Sequence, residues 1–168
     1  MRGEVDKYTW VDLGSSYLPS DLLAAFLCAQ LEARETIQEK RARVWNRYYE
    51  SLADWAENND VRLPEIPPEC EQAYHMFYLL LPSIEHRDSL ISQLKAQSIL
   101  SVFHYTPLHL SEAGLKFAAG PSNCPVTEEV SERLLRLPFY NDLSESDQDH
   151  VTAAVANSRF RLLTRRVS

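Results

Sequence analysis

The stretch Val102-Phe103-His104-Tyr105-Thr106-Pro107-Leu108-His109 sets two histidines and a tyrosine at the end of a short apolar run. Residues 98–105 read as a buried strand, because Ile99, Leu100, Val102 and Phe103 suit a pleated surface and Pro107 cannot donate to a ladder. His104, Tyr105 and His109 are therefore expected where a strand runs out into a loop, a rigid support of the kind that carries binding groups. A set of core polar groups satisfied by backbone is the competing reading. The two histidines lack a third ligand at metal-site spacing, so no metal is expected.

Working outward, Tyr74 to Leu81 reads as a second buried strand, stopped by Pro82, with His75 inside it in a structural role. Between the strands Asp88 can cap a helix through Gln97, with Leu90, Ile91 and Leu94 on one face. Upstream, Ser20 or Asp21 caps a helix in which Leu22, Phe26, Ala29, Ala33, Ile37, Val44, Tyr48, Leu52 and Trp55 recur mostly at steps of three and four. Continuous to about residue 57, that helix is roughly 55 Å long at about 1.5 Å per residue. Such a length suits a bridge between domains or a subunit interface.

Downstream, residues 106–125 contain Pro107, Gly114, Gly120, Pro121, Asn123 and Pro125 and read as one long loop. Thr127, Glu128 and Glu129 start a helix with an apolar stripe of Val130, Leu134 and Leu137 that ends before Pro138. Ser144-Glu145-Ser146-Asp147 resembles a capping box for a last helix, with Val151, Ala154 and Val155 facing inward. Together these elements predict an α+β (α/β) domain with a small sheet.

At 168 residues, 45% hydrophobic and 24% charged, the chain has the size and composition of one ordinary soluble domain. No apolar run is long enough to span a bilayer and the first residues are polar, so a cytoplasmic protein with no membrane partner is expected. A net charge of −7 argues against nucleic-acid binding. Arg159, Arg161, Arg165 and Arg166 nevertheless make residues 159–168 a basic tail, either a docking element or a frayed end. Cys28, Cys70 and Cys124 are odd in number and far apart, which predicts buried thiols rather than disulfides or a zinc site. Tyr8, Trp10, Val11 and Leu13 look extended and lead into Gly14-Ser15-Ser16-Tyr17, either an anion-contact loop or an ordinary turn.

Three pieces of the chain, taken in order, resemble one family. They are Gly14-Ser15-Ser16-Tyr17-Leu18-Pro19-Ser20-Asp21-Leu22 before an Ala-rich helix, Tyr74-His75-Met76-Phe77-Tyr78, and His104-Tyr105-Thr106-Pro107-Leu108-His109 with the later Ser131-Glu132-Arg133-Leu134-Leu135-Arg136-Leu137-Pro138. They look like the C-terminal part of the pyridoxal-phosphate-dependent nucleotide-sugar aminotransferases of the DegT/DnrJ/EryC1/StrS group. KYTWVDLGSSYLPSDL and VFHYTPLH resemble the branch that makes dTDP-4-amino-4,6-dideoxygalactose. The similarity runs from Arg2 to about Ala154, and the sequence departs from it after Asn157.

The resemblance implies a fold type I enzyme and pyridoxal 5'-phosphate as cofactor. Residues 1–18 would end the large cofactor domain, 19–57 form a long interdomain helix, 58–158 the C-terminal small domain and 159–168 the tail. In the family the Schiff-base lysine lies upstream of the match to Arg2, so Lys7, Lys40, Lys95 and Lys116 are expected to be surface residues and no catalytic residue is expected here. Ser16 stands where most members have an asparagine that reaches the cofactor phosphate across the homodimer; it departs from that pattern but keeps a short hydrogen-bonding side chain. His104, flanked by Tyr105 and His109, matches a histidine near the sugar site. Two readings follow. The chain is part of a transaminase moving an amino group from glutamate to the 4-keto carbon of dTDP-4-dehydro-6-deoxyglucose, or it is a truncated, noncatalytic binding or dimerisation module.

Overall fold

The computed structural model describes residues 18–118, 120 and 123–158. Ser16, Lys7 and the basic tail lie outside the described residues. In chain order the elements are α1 (Asp21–Glu32), α2 (Arg34–Asn58), β1 (Tyr78–Leu80), α3 (Ile84–Ala96), β2 (Val102–Phe103), a 3-10 turn (Leu108–Leu110), α4 (Glu112–Phe117), α5 (Pro125–Arg133), β3 (Leu134–Arg136) and α6 (Glu145–Ala156). The chain divides into two compact units between Glu35 and Thr36.

In the first unit Ser20 is the cap of α1, its Oγ accepting from the Leu23 N–H at 3.3 Å. No residue of α1 is buried, although Leu22, Leu23, Phe26, Leu27 and Leu31 are large and apolar. The expected single helix is interrupted at Ala33, whose N–H still reaches the Ala29 carbonyl at 3.1 Å while α2 begins afresh at Arg34. Alanine is the best helix former, so nothing in local propensity announces this break.

The core of the second unit starts from the α2 stripe Val44, Trp45, Tyr48, Leu52 and Ala56, all buried at three- and four-residue steps. It packs on a three-stranded antiparallel sheet of order β1-β3-β2, with Leu79 opposite Leu135 and Phe103 opposite Leu135. Phe77, Leu79 and Leu135 are fully excluded from solvent, as are Leu90 and Leu94 of α3. Val151, Ala154 and Val155 of α6 complete the cluster, as the sequence predicts. Each such leucine contributes about 1.5–3 kcal/mol through burial. The rings of Tyr48 and Trp45 sit 5.2 and 5.5 Å from Phe77. Two polar groups are satisfied inside: Tyr48 Oη donates to the Pro138 carbonyl at 3.0 Å, and Gln148 Nε2 to the Val44 carbonyl at 2.6 Å. Burial pushes the Tyr48 phenol well above its ordinary range, so it remains a donor at any physiological pH.

Several elements differ from the sequence expectation. Leu134–Arg136 is a strand, not the end of a helix: α5 stops at Arg133, and alternation then sends Leu135 and Leu137 inward. A short apolar run fits both periods, which is why the stripe reads as helical. The strand expected over 98–105 shrinks to Val102–Phe103, on the sheet edge; Leu100 is 79% exposed and Phe103 51%. β1 is only Tyr78–Leu80, so His75 lies before the strand and is exposed. α3 begins at Ile84 with Ser83 as its cap, because the Ser83 hydroxyl accepts from the His86 N–H, while Asp88 instead pairs with Arg87 at 2.8 Å. Ser98 at φ 61° closes α3 in a left-handed turn, with the Ile99 N–H on the Leu94 carbonyl and Ile99 itself buried. The loop expected over 106–125 holds the 3-10 turn and α4, the latter capped by Ser111. Cys28 and Cys70 are exposed and Cys124 half-buried, contrary to the expected buried thiols. Among the described residues no helix is long and apolar enough to cross a membrane.

Candidate functional site

β2 ends at Phe103, so His104 and Tyr105 emerge directly from a strand end, as the sequence predicts. Val102 is the cross-strand partner of Arg136, which places Arg136 and Leu134 on the sheet face opposite Leu135. Tyr105 then adopts φ 44°, a left-handed conformation that costs a bulky residue about 1–2 kcal/mol. Its ring lies 5.3 Å from the Arg136 guanidinium carbon and 5.1 Å from the His104 ring, edge to face. The cation over the ring and the imidazole beside it offset part of that strain.

A cavity of about 370 Å³ opens here, walled by His104, Tyr105, Thr106 and Pro107 on one side and by Val126, Val130 and Ser131 of α5 with Leu134 of β3 on the other. A second cavity, about 290 Å³, shares Tyr105, Thr106, Pro107 and Ser131 with the first and is further lined by Phe103, Arg87, Glu128 and Glu132. Arg87 sits 5.9 Å over the Phe103 ring and is held by Asp88 and the Ser131 carbonyl.

His109 goes elsewhere. Its Nε2 donates to Glu128 Oε1 at 2.9 Å, tying the 3-10 turn to the first turn of α5, and it lines a third, apolar cavity with Leu108, Ala113 and Phe117. That hydrogen bond, with a weaker one from the Cys124 N–H, holds the Glu128 carboxyl below its ordinary range. Of the three residues singled out by sequence, the structure thus brings His104 and Tyr105 together and turns His109 toward α5.

The electrostatics around His104 are one-sided. Partial burial, then the positive charge of Arg136 and of His75, holds its imidazole below the ordinary histidine value, so the ring is neutral at pH 7. Its Nδ1 is buried and meets no hydrogen-bond partner among the described residues; the same holds for Arg136 Nε. Arg136, Arg87 and Ser131 were not singled out by sequence. The signal for Arg136 was its place inside Leu134-Leu135-Arg136-Leu137, a cation every second position of which is otherwise apolar.

Comparison with known proteins gives concordant results. The chain is 30% identical over 154 residues to the erythromycin biosynthesis sensory transduction protein EryC1 of Saccharopolyspora erythraea, covering 91% of this chain and 40% of that protein. It resembles a DegT DnrJ EryC1 StrS aminotransferase from Brucella abortus at 36% identity and TM-score 0.65, over 79% of this chain and 34% of that one. DesV of S. venezuelae, crystallised in complex with a ketimine intermediate, superimposes at TM-score 0.77 and 27% identity over 95% of this chain and 42% of that one. The chain spans about two fifths of the length of the curated relatives it matches. Its small sheet with flanking helices is the α+β arrangement found within these fold type I aminotransferases. With residues 1–156 matched by the family's own sequence model, the chain belongs to the DegT/DnrJ/EryC1/StrS aminotransferase family.

Proposed function

We propose that this chain is the C-terminal, sugar-facing part of a pyridoxal-phosphate-dependent transaminase that transfers an amino group from glutamate to the 4-keto carbon of dTDP-4-dehydro-6-deoxyglucose. That is the reaction of the dTDP-4-amino-4,6-dideoxygalactose transaminase of enterobacterial common antigen synthesis. The observation that carries the reading is the half-buried His104 at a strand end, its imidazole held below the ordinary histidine value, lining a cavity of about 370 Å³ together with Tyr105. A neutral imidazole both donates and accepts, which suits a sugar hydroxyl. Residues 1–18 as the end of a cofactor domain, 58–158 as the small domain, Ser16 as a phosphate contact across a homodimer and His109 as an outer substrate contact complete the reading.

Pyridoxal phosphate supplies the electron sink that makes amino transfer possible when it is bound. The described residues do not fit a covalent hold on it. Lys40 pairs with Asp142 at 2.7 Å, Lys116 lies over the Phe117 ring, and Lys95 sits in the last turn of α3; none lines the cavities beside His104. No step is therefore assigned to the cofactor in this chain, and the chain on its own should not turn over. The exposed apolar face of α1 favours the second reading, a noncatalytic binding or dimerisation module.

One variant separates the readings. In an enzyme carrying this chain together with a lysine-bearing cofactor domain, His104→Ala should lower kcat/KM for the nucleotide sugar roughly ten- to a hundredfold, about 1.4–2.7 kcal/mol. The half-reaction with glutamate should change much less. Equal loss in both half-reactions together with a lowered Tm would make His104 a structural residue. An absence of any amino transfer to the nucleotide sugar in the parent enzyme would leave the module.

A further inference from the structure

We infer that a cavity walled by Trp45, Tyr49 and residues 64–68 is a docking site for the chain's own arginine-rich segment, residues 159–168. The cavity holds about 660 Å³ and shares no wall with the three near His104 and His109. Its walls are stiff. Tyr49 stacks on Trp45 with ring centroids 5.2 Å apart, and Tyr74 meets the same indole at 5.9 Å in a T-shaped contact. Tyr74 holds φ 46° there, a backbone that persists only where packing enforces it. Pro64, Pro67 and Pro68 have a ring-fixed φ, and the Cys70 N–H closes a turn on the Pro67 carbonyl at 2.9 Å. Trp45 is buried while Tyr49 is 41% exposed, so an aromatic ring is offered on a rigid base. The Trp45 indole nitrogen is buried and donates to nothing among the described residues. Guanidinium nitrogens are left over at Arg47 and Arg133 too, but acids hold the rest of those groups, whereas an indole has one donor. Trp55, whose indole nitrogen is also buried, lines none of the four cavities. A backbone carbonyl arriving in this cavity satisfies the Trp45 donor.

Charge decides the occupant. Between Arg62 and His75 the chain carries Glu65, Glu69 and Glu71 and no base. All three are exposed, and none has a base within ion-pair distance among the described residues. Residues 159–168 are the complement: Arg159, Arg161, Arg165 and Arg166 with Phe160, Leu162 and Leu163 and no acid. A guanidinium lies flat on an aromatic ring and donates from its edge to a carboxylate, which is what Tyr49 beside Glu65 offers. The segment also reaches. Gln148 of α6 donates at 2.6 Å to the carbonyl of Val44, the neighbour of Trp45. Ser158 lies ten residues further on, about 15 Å along a helix, and rounding α2 with its side chains means passing a body about 10–12 Å across. Ten extended residues span about 33 Å. The family's sequence model matches residues 1–156, so this contact lies outside what the chain shares with the family and does not rest on the proposed function.

The test follows the Trp45 indole N–H resonance of the full chain, assigned by its loss in Trp45→Phe. Arg159→Gln, Arg161→Gln, Arg165→Gln and Arg166→Gln together should shift it, and removal of residues 159–168 should shift it to the same place. A synthetic peptide of residues 159–168 added to the shortened chain should bind saturably and bring the resonance back. Tyr49→Ala should weaken that binding about three- to fivefold. Glu65→Gln, Glu69→Gln and Glu71→Gln together should weaken it about tenfold, while Glu112→Gln, an exposed acid on α4, should leave it unchanged. A peptide with lysine in place of each arginine should bind more weakly, because an ammonium does not stack. Should Tyr49→Ala lower the melting point, the glutamine variants of the exposed 65–71 segment decide the matter. An indole resonance that ignores both the arginines and the truncation overturns the inference, as does a lysine peptide held as tightly as the arginine one. A shift that appears only as chain concentration rises, with dimers in sedimentation, gives the segment to a second copy and overturns its seat on its own chain.

Discussion

The interface of α2 with α6 and the segment from Val102 to Ala118 both carry large apolar residues and are opposite in structure. Between α2 and α6 the apolar side chains are closed off: Tyr48, Leu52 and Val155 are fully buried, Gln148 satisfies a core carbonyl, and Arg41, Arg47 and Lys40 tie the rims to Asn141, Asp149 and Asp142. Along the second segment Val102, Phe103, Tyr105, Leu108, Leu115 and Phe117 all stay exposed. The first region is finished by its own chain. The second is held in shape by a few clamps, among them the His109–Glu128 pair and the Tyr105–Arg136 stack, with its contact groups turned outward. A closed core and an open, exposed loop are thus separated in space, which is the arrangement expected where a rigid core supports a binding loop.

The comparison breaks most sharply on two phenylalanines. Phe77→Ala should cost about 3–5 kcal/mol in denaturant unfolding, since it empties the centre of the ring cluster. Phe103→Ala should cost about 1 kcal/mol or less, the worth of an exposed ring under Arg87. Similar losses for both would mean that the segment is core after all. A smaller effect sharpens the contrast at Ser144: its hydroxyl accepts from the Asp147 N–H at 3.1 Å, and Ser144→Ala should lower stability by about 1 kcal/mol while leaving ligand binding unaltered. Tyr105→Asn should do the reverse. Asparagine tolerates φ 44°, so relief of strain should offset the lost ring contacts and keep the unfolding free energy within about 0.5 kcal/mol of the parent, whereas kcat/KM for the nucleotide sugar in an enzyme carrying this chain falls.

The smallest effect is the acid limb of the loop clamp. The folded Glu128 carboxyl titrates below its ordinary value of 4.5, chiefly through the hydrogen bond from His109. Its contribution to stability is therefore complete above that ordinary value and fades as the pH falls through the lowered one. Glu128→Gln should flatten that limb of the stability profile. An unchanged profile between pH 5 and about 2 would show that the clamp does not hold in solution.

What could be read from the residues follows the range of the interactions involved. Helix starts with a hydroxyl cap are local, so Ser20 and Ser144 were legible, and the α2 and α6 stripes were legible because a period of three to four over many residues is unambiguous. Asp88 misled because Ser83, five residues earlier, is an equally good cap and only the packing of Leu90 and Leu94 chooses between them. The emergence of His104 from a strand end was legible as well, since Pro107 limits how far any strand can run. Sequence alone thereby determined the family, the α+β class and the place of His104 and Tyr105 at a strand end. The tertiary structure decided that Leu134–Arg136 is the central strand, because two short strands far apart in the chain need it as their common hydrogen-bonding partner. That choice is non-local, and it carries Arg136 onto the outer face of the sheet, beneath Tyr105 and beside His104, where no spacing along the chain could have placed it.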